Sequence, residues 1–201
     1  MPSVFITAVE LIPLVKDEEG NIQTEPFLNV ARQVLPLIDQ LGSAFYLVRH
    51  DISGNIERLA GRAHSDPNKY QRLFDIVKDE MEAGEHPKPL SCANGLLWLK
   101  RANDFILELL RCLQKDESLA LYDAAYSAYM QSLQPFHGIM TRGVFSVALK
   151  VVPRREYFFG RLGTPEEVES GIGALLENWG PLMQDVHQFL EENELNDPAK
   201  V

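Results

Sequence analysis

Residues 91–115 form a stretch with helical spacing that is apolar almost all the way round between Leu96 and Leu113. A helix with one apolar stripe lies on a surface, whereas one that is apolar on most sides has to be surrounded. That segment therefore predicts a central helix with neighbours wrapped about it. The chain has 201 residues, 45% of them hydrophobic, enough for one sizeable core and short for two.

The flanking segments repeat the same period. Phe27, Val30, Ala31, Val34, Leu35, Leu37, Ile38 and Leu41 define a helix over residues 27–41, with a kink expected from Pro36 and a stop from Gly42. Further helices are expected over residues 51–64, 68–83, 118–133, 137–152 and 164–195, with a short piece near 155–161. Thr164-Pro165-Glu166-Glu167 spells a capping box with proline at the first helical position. No alternating run is long enough for a sheet, and no Gly- or Ser-rich linker divides the chain. The expectation is one all-α domain spanning 1–201, with about eight helices.

Charge and motifs remove several function classes. A net charge of −10 argues against a nucleic-acid partner, which needs a basic footprint. Cys92 and Cys112 stand twenty residues apart on one predicted helix and cannot reach each other, so no disulfide framework is expected. The five histidines show no metal-binding spacing, and no nucleophile elbow, Walker loop or dinucleotide fingerprint is present. No metal, no cofactor and no enzyme activity are expected. Residues 1–15 lack a basic n-region and no run approaches the ~20 apolar residues of a membrane span, so a cytoplasmic protein is expected.

One polar face stands out. Asp51, Asn55 and Arg58 fall at i, i+4 and i+7, offering a carboxylate, a carboxamide and a guanidinium along one side of a helix. Such a set can grip a polyhydroxylated head group, and an ordinary amphipathic helix shows the same face to water. Trp98 on an apolar helix reads equally as core, His137 as a cap or filler, and Lys100 and Arg101 as a solvated edge.

Three separated strings resolve these alternatives by resemblance: Asp51-Ile52-Ser53-Gly54-Asn55-Ile56 with Arg58, Leu97-Trp98-Leu99-Lys100-Arg101, and Phe136-His137-Gly138. In this order and spacing they resemble the glycolipid transfer protein family. The resemblance also takes in Pro26-Phe27-Leu28, Leu41-Gly42-Ser43 and Lys200-Val201, so it covers most of the chain. It implies an all-α two-layer helical sandwich that carries one glycosphingolipid between membranes. By similarity Asp51, Asn55 and Arg58 would bond the first sugar, Trp98 would stack under its ring, and Asp51 and His137 would hold the ceramide amide.

The lipid chains need an apolar sheath. At ~0.8 kcal/mol per buried CH₂, two exposed chains would cost on the order of 20 kcal/mol. Candidate lining residues are Phe105, Leu109, Leu133, Phe145, Val147, Ala148, Leu149, Phe158 and Leu190, all of which would serve in any core. Ile139 and Met140 are the candidate membrane-docking pair.

Departures from the family pattern bear on what is carried. Ile139 stands where animal carriers have a docking tryptophan, Arg58 where lysine is usual, and Asn94 where an apolar residue is usual. A tyrosine near the end of those relatives has no counterpart in residues 196–201. Relatives that carry phosphate-headed ceramide have cations at the positions of Asn55 and Trp98, so a neutral sugar is favoured here. The expected ligand is a glycosphingolipid, with transient peripheral membrane contact and a monomeric protein. The alternatives are a ceramide-1-phosphate-type carrier, or an all-α interaction or lipid-sensor module without transfer activity.

Overall fold

A computed structural model describes residues 4–200; Val201, at the end of the resemblance, and residues 1–3 lie outside it. Eleven α-helical segments follow in order: α1 Ile6–Leu11, α2 Thr24–Arg32, α3 Val34–Gln40, α4 Tyr46–Ser65, α5 Leu73–Glu82, α6 Cys92–Lys115, α7 Leu121–Ser132, α8 Ile139–Leu149, α9 Arg155–Gly160, α10 Pro165–Ala174 and α11 Gly180–Glu192. A π-helical turn, Leu175–Trp179, joins α10 to α11, and α2 meets α3 at Gln33. Counted as continuous pieces these make about nine helices, in the two-layer all-α arrangement expected. Among the described residues the extended pairing is limited to two isolated bridges, Lys16 with Ile22 and Gln23 with Arg72.

The central helix is where its composition requires. α6 packs on α4, α5, α7, α10 and α11, and Leu96, Leu99, Phe105, Leu109, Leu110 and Leu113 are all buried. Its two ends are closed by different chemistry. At the start the Ser91 hydroxyl accepts from Asn94 N at 3.0 Å, and the Glu80 carboxylate of α5 accepts from Cys92 N at 2.7 Å and Ala93 N at 2.9 Å. A carboxylate there satisfies orphan donors and complements the positive end of the helix dipole. At the other end Arg155 donates to the carbonyls of Leu113, Asp116 and Leu119 at 2.8–3.1 Å.

Several boundaries differ from expectation for physical reasons. The break at Gln33 lies three residues before Pro36, whose ring excludes the carbonyl one turn back. α4 starts five residues earlier than its pattern indicates, because Tyr46 and Leu47 face solvent and hide the apolar stripe. α5 starts late: residues 70–73 pair instead with residues 22–24, through Thr24 N to Gln71 O, Leu73 N to Ile22 O and Thr24 Oγ1 to Tyr70 O. The capping box is present in full, with Glu167 N donating to Thr164 Oγ1 at 3.3 Å and Thr164 N to Glu167 Oε2 at 2.8 Å.

Gly171 on α10 lets α1 approach: a Cβ added there would sit 2.3 Å from Phe5 Cβ. Gly171→Ala is expected to cost about 1–3 kcal/mol through overpacking, read as a lower urea midpoint. Adding Phe5→Gly, which removes the Cβ that the new methyl meets, should leave the pair less destabilised than the two losses summed. Strict additivity would show that the contact does not carry the effect.

Candidate functional site

The polar face of α4 is a connected ladder. Asn55 Nδ2 donates to Asp51 Oδ2 at 3.2 Å, and Arg58 Nη1 donates to Asn55 Oδ1 at 3.2 Å. Arg58 Nη1 also reaches Ser91 O at 3.4 Å, tying the ladder to the first turn of α6. Asn55 is buried, while Asp51 stands at the rim. The protein packed beneath Asp51 pushes its carboxyl above the ordinary range, against the pull of Arg58, Asn55 and His50. Gly95 keeps α6 close, since a Cβ there would lie 3.2 Å from Arg58 Nη1 and 3.7 Å from the Asn55 carbonyl. Trp98 follows Gly95 at i+3 and is half-buried, packed against the core.

From Trp98 the site continues to the turn before α8. The indole lies near-parallel to the His137 ring, with centroids 6.0 Å apart. His137 is buried, and the Tyr129 hydroxyl of α7 sits 3.2 Å from its Nδ1. A phenol donating to Nδ1 leaves the imidazole proton on Nε2. Burial, aided by the cations of Arg142 and Arg101, lowers His137 to about 4, so the ring is neutral at physiological pH. Arg142 in turn fixes the turn by donating to His137 O at 2.8 Å and Gln134 O at 3.0 Å.

α4, α6 and the turn before α8 thus bring Asp51, Asn55, Arg58, Trp98 and His137 to adjoining positions. A family model, glycolipid transfer protein, matches residues 22–164. The chain belongs to that family. It is 35% identical to glycolipid transfer protein 1 of Arabidopsis thaliana over 195 residues, 97% of this chain and 96% of the relative. Among solved structures it superposes on the GLTP-fold of FAPP2, which selects simple glycosphingolipids, with a TM-score of 0.90, 27% identity and full coverage of both chains. It also matches the human ceramide-1-phosphate transfer protein bound to 12:0 ceramide-1-phosphate, at a TM-score of 0.86 and 20% identity over 97% of this chain and 98% of that one. That second likeness shows the fold.

Membership in a lipid-transfer family directs attention to the apolar side chains. Phe105, Leu109, Leu133, Phe145, Ala148, Leu149, Phe158 and Leu190 are buried and belong to one hydrophobic core cluster. Phe145 of α8 is the hub, in ring contact with Phe45, Phe105, Tyr129 and His137 at 4.2–5.7 Å. Val147 is a correction: it is 65% exposed, because its place on α8 faces away from that hub. It joins Ile139, at 92% exposed, Met140, Val144 and Val151 in an apolar outer face. Among the described residues no helix is long and apolar enough to cross a membrane.

Arg101 is a second correction. It is buried rather than part of a solvated edge, and Lys100, paired with Asp104 at 2.5 Å, is largely covered. Nothing local in the sequence signals this, because Arg101 and Asp104 at i, i+3 look like a surface pair. Tyr129, Glu80 and Gly95 were also missed as parts of the site, since each meets it only through tertiary packing. Asn94 is taken up structurally, its side-chain nitrogen donating to Pro89 O at 2.7 Å.

A histidine lowered to about 4 in the folded state, against about 6.5 unfolded, contributes stability that is present above pH 6.5 and is lost as pH falls towards 4. The contribution is roughly 3 kcal/mol at most. His137→Phe is expected to lose less stability than the parent between pH 7 and pH 4.5, measured by denaturant melts at both. Parallel pH profiles for the two proteins would contradict this.

Proposed function

We propose that this chain binds a glycosphingolipid and transfers it between membranes without covalent chemistry. The observation that carries the reading is the adjacency of a hydrogen-bonding ladder, an indole plate and a neutral imidazole. Asn55 bridges Asp51 and Arg58, Trp98 stands one turn beyond the Gly95 contact, and His137 lies near-parallel beside it. A pyranose has a C–H face that suits an aromatic plate and a hydroxyl rim that suits mixed donors and acceptors. The Asp51 carboxylate accepts from hydroxyls and from the ceramide N–H, Asn55 and Arg58 complete the rim, and His137 donates from Nε2 to the ceramide carbonyl.

Support for a neutral head group comes from the state of the cations. Arg58 is tied to Asn55 and Ser91, and the guanidinium of Arg101 is buried 4.9 Å from the Trp98 ring centroid. Two free cations converging on one point, as a phosphate needs, are not found around Trp98 among the described residues. The family's ceramide-1-phosphate carriers make that ligand the alternative to test.

The ceramide chains would displace the ring contacts of Phe145. α8 packs on α7 and on the Ser43–Phe45 turn, so it is anchored by few neighbours. Its outer face, led by Ile139 and Met140, meets the lipid surface while Phe105, Leu109, Leu133, Ala148 and Leu149 become the sheath. Phe158 and Leu190, on α9 and α11, close its far side. Contact is transient and the direction follows the lipid gradient; the acting form is a monomer in the cytosol.

Vesicle transfer assays separate the readings. Glucosylceramide should move, and Trp98→Ala and Asp51→Val should each slow it by about tenfold or more, the equivalent of one or two lost contacts. Equal rates for both variants and parent would remove the site assignment. Movement of ceramide-1-phosphate alone would favour the alternative ligand. Binding of a protein partner without lipid transfer would favour the interaction module.

Docking has its own test. Ile139→Asp should lower partition onto neutral vesicles and slow transfer, because a charge replaces an apolar tip, while leaving thermal stability within about 0.5 kcal/mol. Unchanged partition would place the docking face elsewhere.

A further inference from the structure

Arg101 is 3% exposed, yet it forms no ion pair among the described residues. Its guanidinium lies 3.5 Å from the centroid of Phe136 and 4.9 Å from that of Trp98. It donates through Nη2 to Asn196 Oδ1 at 3.1 Å and to the Asp197 carbonyl at 2.6 Å, while Nε is buried without a protein acceptor. Burial pulls its pKa down to about 10, with only the carboxylates of Asp197 and Asp104, neither in an ion pair with it, opposing. A buried cation satisfied by neutral oxygens and two aromatic rings is an unusual arrangement for stability alone, because a paired or apolar group would serve better.

The geometry points to Arg101 as a positioning residue, through which the segment after α11 sets the Trp98 plate and the Phe136–His137 corner together. This rests on the head-group reading above. One planar cation touches the ring beneath the sugar and the ring adjoining the amide-binding histidine, so a shift of the guanidinium moves both halves of the site. Its own place is set by residues 196–197. Asn196 is anchored from the other side by its side-chain amide donating to Glu191 of α11. Asn196, Arg101 and Phe136 also border a cleft of about 860 Å³, so removing the segment would admit water to the guanidinium. Head-group recognition is thereby coupled to a strap more than ninety residues away in sequence.

Two readouts test this, in the full chain carrying Arg101→Met, Arg101→Lys or Asn196→Ala and in a variant shortened to end at Leu195. The first needs no ligand. Trp179 is buried, so acrylamide quenching reports Trp98, and quenching is expected to rise with Arg101→Met and with the shortened chain. Arg101→Lys should not restore it, since an ammonium lacks the flat face. The second is binding of glucosylceramide vesicles, expected to weaken by about tenfold in each, the loss of one buried cation–π contact. Combining Arg101→Met with the shortened chain should do no more than either alone. Should Arg101→Met fail to fold, Asn196→Ala and the shortened chain carry the test. Unchanged quenching in the shortened chain, or effects that simply add, would overturn the proposal. Failure of the parent to bind glucosylceramide would instead overturn the head-group reading, leaving the quenching result to decide this one.

Discussion

Everything in this fold is organised by the need to bury α6. Its apolar girdle cannot be met by a single partner, so five helices close around it. That leaves its two ends as the places where α6 reaches polar surroundings. The first turns are held by Ser91, Glu80 and the Arg58 contact, and the last by Arg155. The proposed recognition residues cluster at the first of these ends, where the neighbours of α6 stop and a ligand group would have access to it. Trp98, two turns in, is the last large ring on that side still partly exposed.

The polar end and the apolar side differ in how firmly they are specified. Asp51, Asn55, Arg58 and Ser91 form a chain in which each link orients the next, and such networks have few alternative arrangements. Phe145 and its ring partners are held by contacts that individually weigh little and are not directional. A site that must read one head group benefits from the first kind of packing. On the proposed reading, the sheath for the lipid chains draws on the second.

Much of this was legible in the sequence and the rest was hidden for identifiable reasons. Periodicity located the central helix, the Pro36 break and the Thr164 capping box, because each depends on residues within a turn of one another. It misplaced the start of α5, where pairing with residues 22–24 competes with the helix, and the start of α4, where exposed Tyr46 and Leu47 blur the stripe. The candidate residues Asp51, Asn55, Arg58, Trp98 and His137 came from motif strings rather than from spacing. Tyr129 and Arg101 did not come at all, since their partners, His137 across a turn and Asn196 across the molecule, are set by packing.

On the proposed reading, the outer face of α8 docks without the tryptophan of the family pattern. By the family resemblance, Ile139 stands where animal carriers have a docking tryptophan, which at a single position would be a loss of anchoring power. The helix nevertheless presents Ile139, Met140, Val144 and Val147 to solvent together, at spacings that keep them on one side, with Val151 exposed in the turn that follows. A patch of that kind is atypical of a surface with no partner. On the proposed reading, several modest aliphatic contacts spread along a helix replace one deep aromatic one. Burial scales with area rather than with residue identity, so such a face would supply a driving force of the same kind.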